Sequence, residues 1–281
     1  MFSLKEGKPI AKTLERKPII LSIVDDDNEN SVKESDLCCS EHSSNECEHE
    51  GPCCDYCPTW DGKPEGMKIY ESSDPLVPIP DLSGRFVEYI AGPSGSGKST
   101  IACKIAMQFR KIYPKKLIYI LSRTEAKDDP AYVKLRPIQI PIDEELIENP
   151  IDLTQEITEE GCLIIFDDCN TIHNDKIRKE VEKIMADGME IGRKLNCNMI
   201  ITSHLVIPNE KKFARTVLNE LHVLTVFPKS GSSQQIRYAL KQYFGLDNTQ
   251  IDKILKLKSR WVRISKSYPQ YVLYDHGAYI L

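Results

Sequence analysis

The stretch that decides the fold is Gly92-Pro93-Ser94-Gly95-Ser96-Gly97-Lys98-Ser99-Thr100. It fits the pattern G-x-x-x-x-G-K-[ST] in full. Glycines at 92, 95 and 97 permit backbone angles that aim successive N–H groups at phosphate oxygens. A helix opening directly after the loop offers its positive end to the same anion. Lys98 is then placed to reach the β- and γ-phosphates, and the Ser99 hydroxyl to ligate Mg²⁺. The flanks supply the context the pattern needs. Arg85 to Ala91 (RFVEYIA) reads as a strand, and Ser99 to Tyr113 reads as a helix with Ile101, Ile105, Ala106 and Phe109 on one face. The competing explanation is a Gly/Ser-rich turn that precedes a helix by chance.

Working outward, Lys116 to Leu121 (KLIYIL) reads as a strand, and residues 122–160 form a long connector interrupted by Pro130, Pro137, Pro141 and Pro150. Cys162 to Phe166 (CLIIF) is wholly apolar, as a buried parallel strand is. It ends in Asp167-Asp168, which puts carboxylates at the edge of the sheet where open α/β sheets bind ligands. Asp167 is placed to hold Mg²⁺ through water, and Asp168 either polarises an attacking water or caps the next segment. A helix from Asp175 to Leu195 leads to the buried strand Met199 to Thr202, whose end carries Ser203-His204. Either of those residues can sense a γ-phosphate, or His204 simply closes a loop. Leu221 to Phe227 reads as a further strand, and Gln234 to Phe244 and Thr249 to Leu255 as two short helices. Strand composition returns at Trp261 to Ile264, Tyr271 to Tyr274 and Ala278 to Leu281, which predicts a C-terminal β-hairpin. Strands alternating with helices predict a P-loop NTPase fold of α/β class: a doubly wound, mostly parallel sheet with helices on both faces, over residues 81–281.

Residues 1–80 read differently. Residues 25–58 are acidic, rich in Ser, Asn and Cys, and poor in aliphatic side chains, so they bury too little apolar surface to offset their ordering entropy. The whole stretch is expected to be a mostly irregular extension. Of the chain's 10 cysteines, Cys103, Cys162, Cys169 and Cys197 fall on or beside core elements, where they act as small buried hydrophobes. The others cluster between Cys38 and Cys57. Cys47, Cys53, Cys54 and Cys57, with His49 nearby, offer soft ligands for a Zn²⁺ site at 38–57, although the spacing is not that of a standard finger. An acidic segment with incidental cysteines explains them equally well.

Composition limits the rest. The chain has 281 residues, 41% hydrophobic and 28% charged, with a formal net charge of −5. That balance is globular, and it confines any nucleic-acid contact to a local patch. No apolar run reaches the ~20 residues of a membrane span. The opening MFSLKEGKPIAK has no apolar core of a secretory signal, so a cytoplasmic location is the expectation.

Three arginines are candidates for stabilising a transferring phosphoryl group. Arg215, in FARTVLN, is preferred narrowly over Arg193 as a residue donated to a neighbouring subunit, with a surface or structural role as the alternative for each. Arg123, directly after KLIYIL, lies at the ligand edge of the sheet. The motifs GPSGSGKST, LIIFDD, IGRKLN and MIITSH, followed by Arg215 to Asn219 before LHVLTVFPKSG, resemble those of the poxvirus-type DNA-packaging ATPases of large DNA viruses, within the FtsK/HerA superfamily. That family usually carries Glu after the first strand-ending Asp and Gln at the sensor, where this chain has Asp168 and Ser203-His204. The resemblance covers residues from about 85 to 281. It implies an ATP-binding, ring-forming homo-oligomer that moves double-stranded DNA into a capsid, located in the virion or at the viral assembly site in the host cytoplasm. Lys211, Lys212, Lys253, Lys256, Lys258, Arg260, Arg263 and Lys266 would then face DNA, or else simply solvate helix faces. The same loop is close to that of guanylate kinases, so a nucleotide kinase is one alternative. A nucleotide-binding assembly scaffold with weak hydrolysis is another.

Overall fold

The computed structural model describes residues 1–5, 7–14, 18–24, 68–80, 84–157 and 160–281. Along the chain the strands and helices are β1 Phe2–Ser3, β2 Lys8–Thr13, β3 Ile20–Ile23, β4 Ile69–Glu71, β5 Leu76–Pro78, β6 Val87–Ala91, α1 Lys98–Ile112, β7 Leu117–Ser122, β8 Ile138–Ile140, α2 Glu145–Glu148 and α3 Leu153–Glu156. They continue as β9 Cys162–Asp167, a single 3₁₀ turn Cys169–Thr171, α4 Asp175–Ile191, β10 Cys197–Ser203, α5 Lys211–Glu220, β11 Val223–Val226, α6 Ser233–Phe244, α7 Asn248–Lys256, β12 Val262–Ser265, β13 Tyr271–Tyr274 and β14 Gly277–Ile280.

The main sheet has the order β4-β14-β13-β12-β11-β6-β10-β9-β7-β8. From β11 to β8 every neighbouring pair is parallel. Alternation along the central strands divides the core in two. On β9, Cys162, Ile164 and Phe166 face one side with the helices α4, α5, α6 and α7, whereas Leu163 and Ile165 face the side covered by α1. On β6, Val87, Tyr89 and Ala91 face the first side and Phe86, just before the strand, and Ile90 the second. Every residue of β9 and β10 is buried. Each fully buried aliphatic side chain there contributes roughly 1.5–3 kcal/mol. The expected doubly wound α/β sheet with helices on both faces is what the chain forms.

The C-terminal hairpin is present as β13 and β14, with Tyr274 opposite Gly277. It is the outer part of an antiparallel run, because β12 pairs with both β13 and β11 and so grafts the hairpin onto the parallel sheet. Gly277 is required at that turn: a Cβ there would lie 2.5 Å from both the Tyr274 hydroxyl and the Tyr70 carbonyl oxygen.

The described parts of residues 1–80 carry more structure than their composition suggests. β1, β3, β2 and β5 form a separate antiparallel sheet. Phe2, Ile10, Leu21 and Leu76 of this sheet join the core on the α1 side. Short strands with few apolar residues gain stability by covering a helix rather than by their own propensity. Helix α5 is a further element the sequence did not announce, and β8, α2 and α3 are short elements within the long connector. No helix among the described residues is long and apolar enough to cross a membrane.

Candidate active site

The loop between β6 and α1 is held on both sides. The Gly92 N–H donates to the Ser203 carbonyl at 3.0 Å, which ties the start of the loop to the end of β10. Packing excludes a side chain at 92, since a Cβ would lie 2.6 Å from the Phe227 ring. Gly95 and Gly97 have φ of 73° and 109°, in the left-handed region that favours glycine. Gly97 is the N-cap of α1 and offers no side chain to cap it, so the helix's first N–H groups are left to an external anion. The Ser96 hydroxyl is buried with no hydrogen-bond partner among the described residues. An orphaned buried donor beside unclaimed helix N–H groups fits a polyanion in the loop.

Lys98, the first residue of α1, has its side chain 4% exposed. Its Nζ is 3.4 Å from the Pro93 carbonyl oxygen and 3.4 Å from Asp168 Oδ2. The carboxylates come from the end of β9. Asp167 Oδ1 accepts hydrogen bonds from the Tyr132 hydroxyl at 2.8 Å, the Thr202 hydroxyl at 2.9 Å and, more loosely, the Ser99 hydroxyl at 3.4 Å. Burial pushes the Asp167 carboxyl above the usual carboxylate range, and the nearby Asp168 and Asp129 push the same way, while the bonds from Tyr132 and Thr202 oppose them. A buried carboxylate next to a second one is poised to gain a cation. With Ser99 beside it, the donor set is of the oxygen-only kind that suits Mg²⁺. Burial, reinforced by the Asp167 charge, pushes the Tyr132 phenol well above its ordinary range, so it stays a donor.

Asp168 adopts φ 48° and ψ 34°, left-handed for a residue with a side chain. Asp tolerates this conformation better than most residues, and such outliers gather at functional sites. Its N–H donates to the Thr202 hydroxyl at 2.9 Å. The turn sets Oδ2 between Lys98 Nζ at 3.4 Å and His204 Nε2 at 3.2 Å.

The structure therefore brings together Lys98, Ser99, Asp167, Asp168 and His204. Of the two sensor candidates His204 faces the carboxylate, whereas the Ser203 hydroxyl accepts the Leu205 N–H at 3.1 Å and shapes its own turn. Pro93 lends its carbonyl to Lys98, and Ser94 and Thr100 are exposed at the loop and the first turn of α1. Arg123 Nη1 donates to the Thr171 carbonyl at 2.9 Å and braces the 3₁₀ turn after Asp168. Arg215, on α5, and Arg193, after α4, are exposed and lie outside this cluster. Cys47, Cys53, Cys54 and Cys57 lie outside the described residues, and no group of three or more metal-ligating side chains occurs among the described ones. Cys103, Cys162, Cys169 and Cys197 are buried free thiols.

Two of the basic residues expected to face DNA do not. Arg263 is 1% exposed and binds Glu88, which is fully buried, at 3.0 Å across β11. Lys266 donates to the Leu218 and Asn219 carbonyls at the end of α5, and burial pushes its amine down to about 8. Both are basic residues of the strand-rich tail that satisfy acceptors within the chain. Three site residues escaped the sequence reading in these roles: Tyr132 from the long connector, Thr202 as a hydrogen-bonding partner of both aspartates, and Arg260 on the phosphate loop. Only Thr202 had a usable signal, being the polar end of an apolar strand.

Strand β10 stands between the strand that ends in the phosphate loop and the strand that ends in the aspartates. With the loop geometry, this order defines the class: a P-loop NTPase with an additional strand between its two motif strands. The chain belongs to the family of the uncharacterized protein V3 of Sputnik virophage, with which it shares 43% identity over 230 residues, 77% of this chain and 91% of that one. No family model matches the sequence. Among solved structures it is similar to B204, the DNA-packaging ATPase of Sulfolobus turreted icosahedral virus, with a TM-score of 0.49 and 11% identity over 69% of this chain and 98% of that one. It is also similar to TcpA, the pCW3 conjugation coupling protein solved with ATPγS, with a TM-score of 0.48 and 16% identity over 77% of this chain and 67% of that one. Both scores are below 0.5, so the strand order and the loop, not these overlays, define the fold.

Proposed function

We propose that this chain is a Mg²⁺-dependent P-loop motor ATPase whose work is the packaging of viral double-stranded DNA. The observation that carries the catalytic part is the single Asp168 carboxylate flanked by Lys98 and His204 at the mouth of the phosphate loop. Bound Mg²⁺ would supply neutralisation of the charge that develops on the phosphate oxygens. Ser99 and Asp167 are the residues that would hold it. The free N–H groups of the loop cradle the phosphates, and Lys98 exchanges Asp168 for the anion. Asp168, released from Lys98, accepts the proton of the attacking water, with His204 keeping its carboxylate in place. An acidic pair beside a candidate sensor residue supports hydrolysis over transfer to a second nucleotide. The order of the later motifs, together with membership in a virophage family, supports DNA as the substrate of the motion. Arg215, exposed on α5, is the arginine we assign to a neighbouring subunit of a ring.

Steady-state phosphate release, with and without double-stranded DNA at two protein concentrations, tests this. Turnover per chain is expected to rise with both. Phosphate passed to GMP or dTMP would make the chain a kinase. Binding without turnover would make it a scaffold, and turnover indifferent to DNA and concentration would remove the packaging motor.

A further inference from the structure

The outer side of the phosphate loop is gripped by the C-terminal part of the chain. Arg260, between α7 and β12, donates from Nε to the Ser96 carbonyl at 2.9 Å and from Nη2 to the Gly95 carbonyl at 3.1 Å. A Cβ at Gly97 would lie 3.5 Å from Nη2, so the guanidinium runs along the loop from Gly95 to Gly97. Its own mounting is a chain of hydrogen bonds. The Arg260 N–H donates to Asp275 Oδ2 at 3.4 Å, the Asp275 N–H donates to the Ser259 hydroxyl at 3.2 Å, and that hydroxyl donates to the Trp261 carbonyl at 2.6 Å. Ser259 is 1% exposed. Residues 259–261 and the β13–β14 turn thus form one hydrogen-bonded platform carrying the guanidinium. Lys229 and Lys258 line the same cleft, so positive charge collects behind the loop.

We propose that Arg260 is a positioning residue of the nucleotide site, one that fixes the triphosphate-binding shape of the loop through its outward carbonyls. The inference rests on reading residues 92–100 as a triphosphate cradle and goes one layer behind it. When successive N–H groups converge on an anion, the matching carbonyls turn away and need their own donors. A planar guanidinium meets two of them with fixed geometry, and it adds a permanent positive charge on the side away from the ligand. A lysine keeps the charge and loses the fork.

The test is equilibrium binding of MgATP and kcat for wild type, Arg260→Ala, Arg260→Lys and Asp275→Ala, with melting of the nucleotide-free proteins alongside. Arg260→Ala is expected to weaken binding about tenfold, the effect of losing hydrogen bonds from a charged donor. Its kcat at saturation should stay within about twofold. Arg260→Lys should fall between wild type and Arg260→Ala. Asp275→Ala, which loosens the mounting and spares the guanidinium, should weaken binding less than Arg260→Ala. Binding by Arg260→Ala equal to wild type would overturn the proposal while leaving the loop's function intact. So would a fall in kcat matching the loss of affinity. Failure of wild type itself to bind MgATP would overturn the reading of the loop, and this proposal with it.

Discussion

Asp167 shows how a residue proposed to hold a metal can oppose stability. Its carboxyl is buried, and burial raises its pKa. A carboxyl raised above its unfolded value costs stability at any pH above both values, and the cost disappears as pH falls through the folded pKa. Asp167→Asn removes the charge while its amide oxygen still accepts from Tyr132 and Thr202. The nucleotide-free variant is therefore expected to melt higher, by about 2 °C for each kcal/mol relieved, and to lose Mg²⁺-dependent turnover. A lower melting temperature in the metal-free protein would contradict this account of the carboxylate. At this scale the sequence was legible where chemistry attaches to a motif: Lys98, Ser99, Asp167 and Asp168 stand where the spacing put them. Tyr132 and Arg260 were not, because each reaches the site from a segment without periodicity. Arg260 meets Ser96 across 164 residues of chain, and nothing local encodes that contact.

The elements show the same division. β9 and β10 were legible because an unbroken apolar run has few homes besides a parallel strand buried on both faces. Helix α5 was missed although Ala214, Val217 and Leu218 are its buried residues, at a spacing that fits a helix. Its short length and the charged Lys211-Lys212 start obscured the pattern. Strand β12 read as one of three tail segments of strand composition, and through its pairing with β11 it joins the whole C-terminal meander to the parallel sheet. Arg263 on β12 binds Glu88 on β6, and Thr225 on β11 between them donates to the same carboxylate. Removing one member of a buried pair leaves the other uncompensated. Arg263→Met is thus expected to cost about 3–5 kcal/mol in denaturant unfolding. Adding Glu88→Gln should recover much of that loss. A single variant within about 0.5 kcal/mol of wild type, the range of an ordinary surface change, would show that the pair does not hold the strands together.

For the molecule as a whole, the pieces converge on one edge of one sheet. β6 delivers the phosphate loop, β9 the aspartates and β10 the histidine, all at their C-terminal ends, where the parallel order forces them to meet. The C-terminal meander closes on the back of the loop, and the N-terminal sheet covers the α1 side. A net charge of −5 over such a body means that any hold on DNA must come from a local patch of basic residues. With Arg263 and Lys266 engaged internally, the remaining candidates are Lys211, Lys212, Lys253, Lys256 and Lys258, with Arg260 committed to the loop. The alternation of strands and helices was enough to predict the sheet. The antiparallel N-terminal sheet was not predictable, because its short strands are stabilised by a helix distant in sequence.

The central claim is that Lys98 binds the nucleotide and Asp168 drives its hydrolysis. MgATP binding and phosphate release, measured side by side on wild type, Lys98→Ala and Asp168→Asn, test it most directly. Lys98→Ala is expected to lose binding and turnover together. Asp168→Asn is expected to keep binding within a few-fold and to lose about 10²-fold or more in turnover. Near-normal hydrolysis by Lys98→Ala, or unchanged hydrolysis by Asp168→Asn, would contradict it.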